Sequence, residues 1–194
     1  MATVGFEKAY IGIMDATSEK IVDVHEINAL EGGTIDAKIS GLGATTNTVF
    51  ASNVPFHVTA QGVSSPKVEL GIADLSEEIY VAVTGAEINA EGITTIGSKT
   101  KPPYCSLILK SADKDGNELY FGFTKGKFTH DGYDLQTAED KGVEMNTDSI
   151  SADFIARGAD EIVFAKGSTA TDKFTAEAFK KFIMPTTAPI ENED

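Results

Sequence analysis

The sequence predicts a mainly β fold: two packed antiparallel sheets, sandwich- or barrel-like, with a flanking α-helix and a long loop or hairpin. Three observations carry this expectation. Short runs of branched and aromatic residues recur between turn residues from Phe6 to Ala165. One run, Thr34–Ser40, alternates apolar and polar side chains, the pattern of a strand with one buried face. Only two short segments carry helix-start signals.

Taken in order, Phe6 to Met14 reads as a first strand, Asp15–Ser18 as a turn, and Ile21 to Ile27 as the strand that pairs back. Gly32-Gly33 interrupts the chain. In the next strand Ile35, Ala37 and Ile39 are assigned to the buried face, with Thr34, Asp36, Lys38 and Ser40 on the wet one. From Gly41 to Pro66 glycine, Thr and Asn are frequent, yet Val49, Phe50, Val54, Phe56 and Val58 are apolar. A loop of that length inside a compact domain is uncommon and usually functional. An extended hairpin with apolar tips fits it.

Val68, Leu70 and Ile72 alternate as another strand. Asp74-Leu-Ser-Glu77 then reads as a capping box opening a short helix that Gly85 stops, with Glu77 and Glu78 at the positive end of its dipole. Tyr104–Ser111 and Glu118–Thr124 form the clearest hairpin, turning at Asp113–Asn117 and extended by Lys125–Phe128. Ser149–Ile155 and Glu161–Ala165 are further strands. Thr175 caps a last helix through Met184, with Phe174 and Phe179 as a hydrophobic staple and Phe179, Phe182 and Ile183 as its buried stripe. Pro185 ends it. Residues 1–185 are thus expected to form one domain, and 186–194 an acidic, mobile tail.

Thirty acidic residues against sixteen basic give a formal charge of −14. A protein that grips DNA gains affinity by replacing phosphate counterions with Lys and Arg, and this charge has the opposite sign. The basic residues are also uneven. Six lie between Lys99 and Lys127, and none between Val68 and Ser98, where six acids sit. Between Asp131 and Glu161, nine acids face only Lys141 and Arg157. On opposite ends of one folded unit, such stretches would let units stack by charge complementarity. No run of about 18 apolar residues is present, so no membrane-spanning helix is expected. The first eight residues lack the layout of a secretory signal.

The search for chemistry is nearly empty. His25, His57 and His130 stand apart, without metal-ligand spacing. Asp113–Glu118 resembles a calcium loop, but its glycine comes fourth rather than sixth, so it reads as a hairpin turn. His130-Asp131 has no nucleophile near it in sequence. Cys105, the lone cysteine, sits on an apolar strand as a small hydrophobe. No catalytic residue, metal site or cofactor is expected, and the protein is read as not an enzyme.

Several segments together resemble the major tail (tail tube) proteins of long, non-contractile-tailed phages, the siphophages of Gram-positive bacteria. They are Val4–Tyr10, Gly32–Leu42, Phe50–Asn53, Pro102–Tyr104 and Lys125–Phe128, in the expected order. The resemblance implies two packed antiparallel sheets and a structural subunit of the virion, made in the host cytoplasm. It implies hexameric rings stacked into a hollow conduit for DNA ejection. Its partners would be copies of itself, a tape-measure protein, and tail terminator and tip proteins. DNA would pass without specific binding. In that setting the segment 41–66 becomes an assembly loop, with Val49, Phe50, Val54, Phe56 and Val58 buried between subunits. Asp36, Lys38 and Ser40 become candidates for the lumen. The alternative is a β-sandwich binding module of the adhesin or carbohydrate-binding type, which the absence of Trp disfavours.

Overall fold

The computed structural model describes residues 3–51, 54–130, 132–133 and 147–186; for 47–51 and 54–61 only the backbone is described. The mainly β expectation holds: a large antiparallel sheet, two small two-stranded sheets and two short helices. In chain order the strands are β1 (Thr3–Met14), β2 (Ile21–Ile27), β3 (Thr34–Ser40), β4 (Thr45–Ala51), β5 (Val54–Gln61) and β6 (Lys67–Ile72). Helix α1 (Glu77–Thr84) precedes β7 (Glu87–Ile88), β8 (Thr94–Thr95), β9 (Cys105–Asp113) and β10 (Glu118–His130). Then come β11 (Asp148–Ile155), β12 (Phe164–Ser168) and helix α2 (Ala176–Ile183).

The main sheet runs β2-β1-β9-β10-β11-β6-β3, with β12 also paired to β10. The expected β9–β10 hairpin forms, with Leu109 opposite Phe121 and Leu107 opposite Phe123. Asp113 closes its turn by accepting from the amides of Asp115 and Asn117 (2.8 and 2.9 Å). Strand β10 is the pivot. Its register with β9 shifts between Phe123 and Gly126; before the shift its other edge carries β12, and after it β11. The two halves of the main sheet are therefore joined through one strand. The sheet curls far enough for the Thr34 hydroxyl on β3 to donate to the Phe6 carbonyl of β1 at 3.1 Å.

Inside the curl lies the larger core. Alternate residues of β6 (Val68, Leu70, Ile72) and β9 (Cys105, Leu107, Leu109) meet Phe123, Phe128 and Phe154, with Ile79 and Val83 of α1 at its margin. The Phe123 and Phe154 rings stand 4.6 Å apart, close enough to add to the burial each ring already contributes. A second core sits on the opposite face of β1, β9 and β10, where Tyr10, Ile108 and Tyr120 are covered by Phe179 and Ile183 of α2 and by Met184, which caps it. Gly122 makes that approach possible, since a Cβ there would sit 2.5 Å from Ile183 Cγ1.

Four local expectations are corrected. Helix α1 is capped by Ser76, whose hydroxyl accepts from the Ile79 amide at 3.4 Å, not by Asp74. The Asp74 amide is held by the Gly32 carbonyl and the Leu75 amide by the Asp148 carboxylate, so the helix starts only beyond them. Ile35 is 49% exposed because the β3–β6 register slips between Thr34 and Asp36. Phe182 is 43% exposed; the stripe of α2 is Phe179 and Ile183, four residues apart. The last strand begins at Phe164, not Glu161, because residues 157–162 form a turn in which the Arg157 amide donates to the Ile162 carbonyl.

Several carboxylates are held in their charged form by lysine or arginine. Lys125 lowers the pKa of Glu19, Lys110 that of Glu118, and Arg157 that of Asp160. The unfolded chain takes up these protons first as pH falls. Their contribution is therefore full above the ordinary carboxylate range, about pH 4, and is lost as pH drops through the lower folded values. Urea midpoints are expected to be level between about pH 6 and 8 and to decline steadily from about pH 5 to 3. A midpoint unchanged at the acid end would contradict these pairs.

Candidate assembly surfaces

The segment 41–66 is a hairpin. Strands β4 and β5 pair from Thr45 opposite Gln61 to Ala51 opposite Val54, and form a two-stranded sheet of their own. Its root continues the β3–β6 ladder: Ser40 faces Lys67, and beyond it the Ser64 amide donates to the Gly43 carbonyl at 2.8 Å. A long two-stranded arm thus leaves the main sheet between β3 and β6. Gly41 sits at the bend with φ 71°, and a Cβ there would overlap the Ser65 carbonyl. Only glycine meets both demands at little cost. Val49, Phe50, Val54, Phe56 and Val58 all belong to the arm; their side chains lie outside the described residues.

A bare polar face is the second surface. Helix α2 covers the outer face over β1, β9 and the first half of β10, as its core contacts show. The outward residues of β3, β6, β11 and the second half of β10 are mostly polar: Asp36, Lys38 and Ser40, then Glu69, then Asp153 beside the half-exposed Ile155, then Lys127 and Thr129. Asp36, Lys38 and Ser40 are all exposed, as the strand pattern predicts.

The lysines of this face are engaged. Lys38 and Lys67 both meet Glu69, at 3.3 and 3.4 Å, and Lys38 is the main cause of that carboxylate's lowered pKa. Lys125 pairs with Glu19. Lys127 stands opposite Asp153 in register and lies 4.6 Å from the centre of the Tyr104 ring. Exposed pairs such as these stabilise little. Their effect is on the field: among the described residues the face presents no unmatched row of cations to a polyanion.

The third surface, which the sequence pattern does not single out, is the β7–β8 hairpin. It contains only two residue pairs, Glu87 with Thr95 and Ile88 with Thr94. Strands that short leave no period to read.

The candidate chemical groups do not converge. Among the described residues no three His, Cys, Asp or Glu side chains gather as a metal site. Cys105 is fully buried, and burial pushes its thiol up to about 12. His130 packs edge-on to Tyr80 at 5.3 Å and accepts from the Gly132 amide at 3.3 Å; Asp131 lies outside the described residues. The Asp113 carboxylate serves its own turn rather than an ion.

An antiparallel β subunit with an extended arm and a bare, charge-matched sheet face belongs to the class of self-assembling structural proteins. The chain is a member of the phage tail tube protein family, whose sequence model matches residues 1–187. It is a non-enzymatic structural component of the phage tail, and so of the virion. No curated protein matches the chain.

Proposed function

We propose that residues 1–185 act as one tube-forming domain of a siphophage of Gram-positive bacteria, six copies closing into a ring and rings stacking into the conduit through which DNA leaves. In this reading the arm of residues 41–66 lies across a neighbouring copy. There Val49, Phe50, Val54, Phe56 and Val58 lose their contact with water. The tail of residues 186–194 supplies a further contact. The bare face carrying Asp36, Lys38 and Ser40 lines the channel. A tape-measure protein sets the length, and terminator and tip proteins close the two ends.

The observation that supports this most is the arm. A two-stranded sheet by itself is marginal in water, and this one is hydrogen-bonded to neither margin of the main sheet. The main sheet itself ends in β2 and β3. Free strand margins recruit partners, and a ring of copies can use them to close a continuous barrel without edges. Ring-to-ring contacts are heterologous and so propagate. The charge-matched face is suited to a channel wall, because phosphate finds few cations to exchange for its counterions.

Negative-stain microscopy across a concentration series tests the proposal. Rings and hollow tubes are expected to appear as concentration rises. A monodisperse monomer throughout, measured by sedimentation on the same samples, would overturn it.

A further inference from the structure

We infer that the β7–β8 hairpin is a second docking element, which buries its isoleucines against another copy of this chain while Lys99 and Lys101 meet that copy's acidic groups. The inference rests on the self-assembly proposed above and concerns a different surface from the arm. Ile88, Ile93 and Ile96 are 52, 54 and 59% exposed, three large aliphatic side chains within nine residues. Scattered exposed aliphatics are ordinary. A group of them on one short, ordered hairpin is not.

The hairpin is held in shape by polar bonds rather than by burying its own apolar groups. The Asn89 carboxamide oxygen accepts from the amides of Glu91 and Ile93, both at 2.9 Å. The Thr94 hydroxyl donates to Glu77 on α1. Beyond β8, the Thr100 hydroxyl accepts from the Gly97 amide at 2.9 Å. Two strand pairs would not keep a free hairpin ordered; these ties do, while leaving the isoleucines in water. A contact element ordered in advance loses less conformational freedom on docking.

Charge indicates the occupant. At the hairpin's foot is an open recess of about 390 Å³, whose lining includes Gly85, Glu87, Thr95, Ile96, Lys99 and Lys101. Neither lysine has a carboxylate partner within 4 Å among the described residues. These two cations stand beside an exposed isoleucine on a chain of net charge −14. The surface most available to them in a tube is the acidic surface of another copy. Close charge complementarity of this kind fixes register and speeds association more than it adds affinity.

The lone native cysteine makes the test clean. Cys105 is fully buried, so Ile93→Cys introduces the one accessible thiol among the described residues. Its labelling by a fluorescent maleimide is measured in dissociated subunits and in assembled tubes. Protection of tenfold or more in tubes is expected. A second variant, Ile88→Ser with Ile93→Ser and Ile96→Ser, is expected to raise the concentration for half-maximal assembly at least tenfold, with an unchanged thermal melt. Lys99→Glu with Lys101→Glu should do the same and slow assembly most at low salt. Equal labelling in tubes and subunits would overturn the docking inference while leaving tube formation intact. Failure of the unchanged chain to assemble at all would overturn both.

Discussion

Replacing residues 45–61 with a short Gly-Ser turn is expected to give a folded subunit that forms neither rings nor tubes at concentrations where the unchanged chain assembles fully. The cut is made inside the arm and beyond its root, so the β3–β6 ladder from Thr34 to Ser40 and its bend at Gly41 remain. Neither β4 nor β5 is hydrogen-bonded to the main sheet. The thermal midpoint should therefore move by no more than a few degrees, on the order of 1 kcal/mol for a chain this size. Loss of assembly should be complete. Five apolar residues leave together, and burying each is worth roughly 1.5–3 kcal/mol, far more than a marginal contact between subunits can lose.

Gly41→Val probes the same arm without shortening it. A side chain at φ 71° that overlaps the Ser65 carbonyl must swing the root, which would re-aim the arm while retaining its residues. Assembly lost in the deletion and weakened in Gly41→Val would implicate both the arm's residues and its direction. Tubes of normal appearance from the deletion variant would show that the arm is not an assembly element.

The arm was readable because its sequence is anomalous. A run rich in glycine and polar residues should be a surface loop, yet Val49, Phe50, Val54, Phe56 and Val58 punctuate it. The core strands were readable for the opposite reason. Val68, Leu70 and Ile72, or Leu107 and Leu109, keep the period of two that burial on one face requires.

What escaped the sequence depends on tertiary ties. Asp74 and Ser76 are both good caps, and the choice between them is made by Gly32 and Asp148, distant in the chain. Ile35 fits its alternation but is turned out by a register slip. Glu161 and Ile162 look like strand residues, yet they close the turn that presents Arg157. The β7–β8 hairpin, two pairs long, is defined by side-chain bonds to α1 and within its own turn, which no periodicity announces. The bare face was half legible: β3 supplied Asp36, Lys38 and Ser40, but that β6 and β11 continue it follows only from strand order.

Removing Arg157 is expected to destabilise the domain markedly. Arg157 is buried, and its guanidinium serves three groups at once. It pairs with Asp160 at 2.5 and 3.1 Å, and donates to the carbonyls of Phe182 and Ile183 at 3.1 and 3.3 Å. Those carbonyls end α2, where the helix has no further amides to offer and where a cation is favoured by the dipole. The Ser106 hydroxyl also donates to Ile183 at 3.3 Å. Arg157 thus fastens the helix that closes the second core. Just past it the Pro185 carbonyl accepts from the Ile21 amide on the β2 margin, so the fastening extends to the sheet edge.

Arg157→Ala strands the Phe182 carbonyl, leaves that of Ile183 with the Ser106 hydroxyl alone, and leaves Asp160 without its counter-ion. Because Asp160 keeps partial access to water, the loss is expected at the low end of the range for breaking a buried pair, about 3 kcal/mol. Arg157→Lys restores the charge without the planar fork and should recover only part of it. The chain has no Trp, so urea unfolding is followed by far-UV circular dichroism and tyrosine emission, the latter reporting Tyr10 and Tyr120 beneath α2. If α2 is held by hydrophobic contact alone, the Ala and Lys variants will unfold together, close to the unchanged protein. If Arg157 fastens it, they separate, with Ala the weaker.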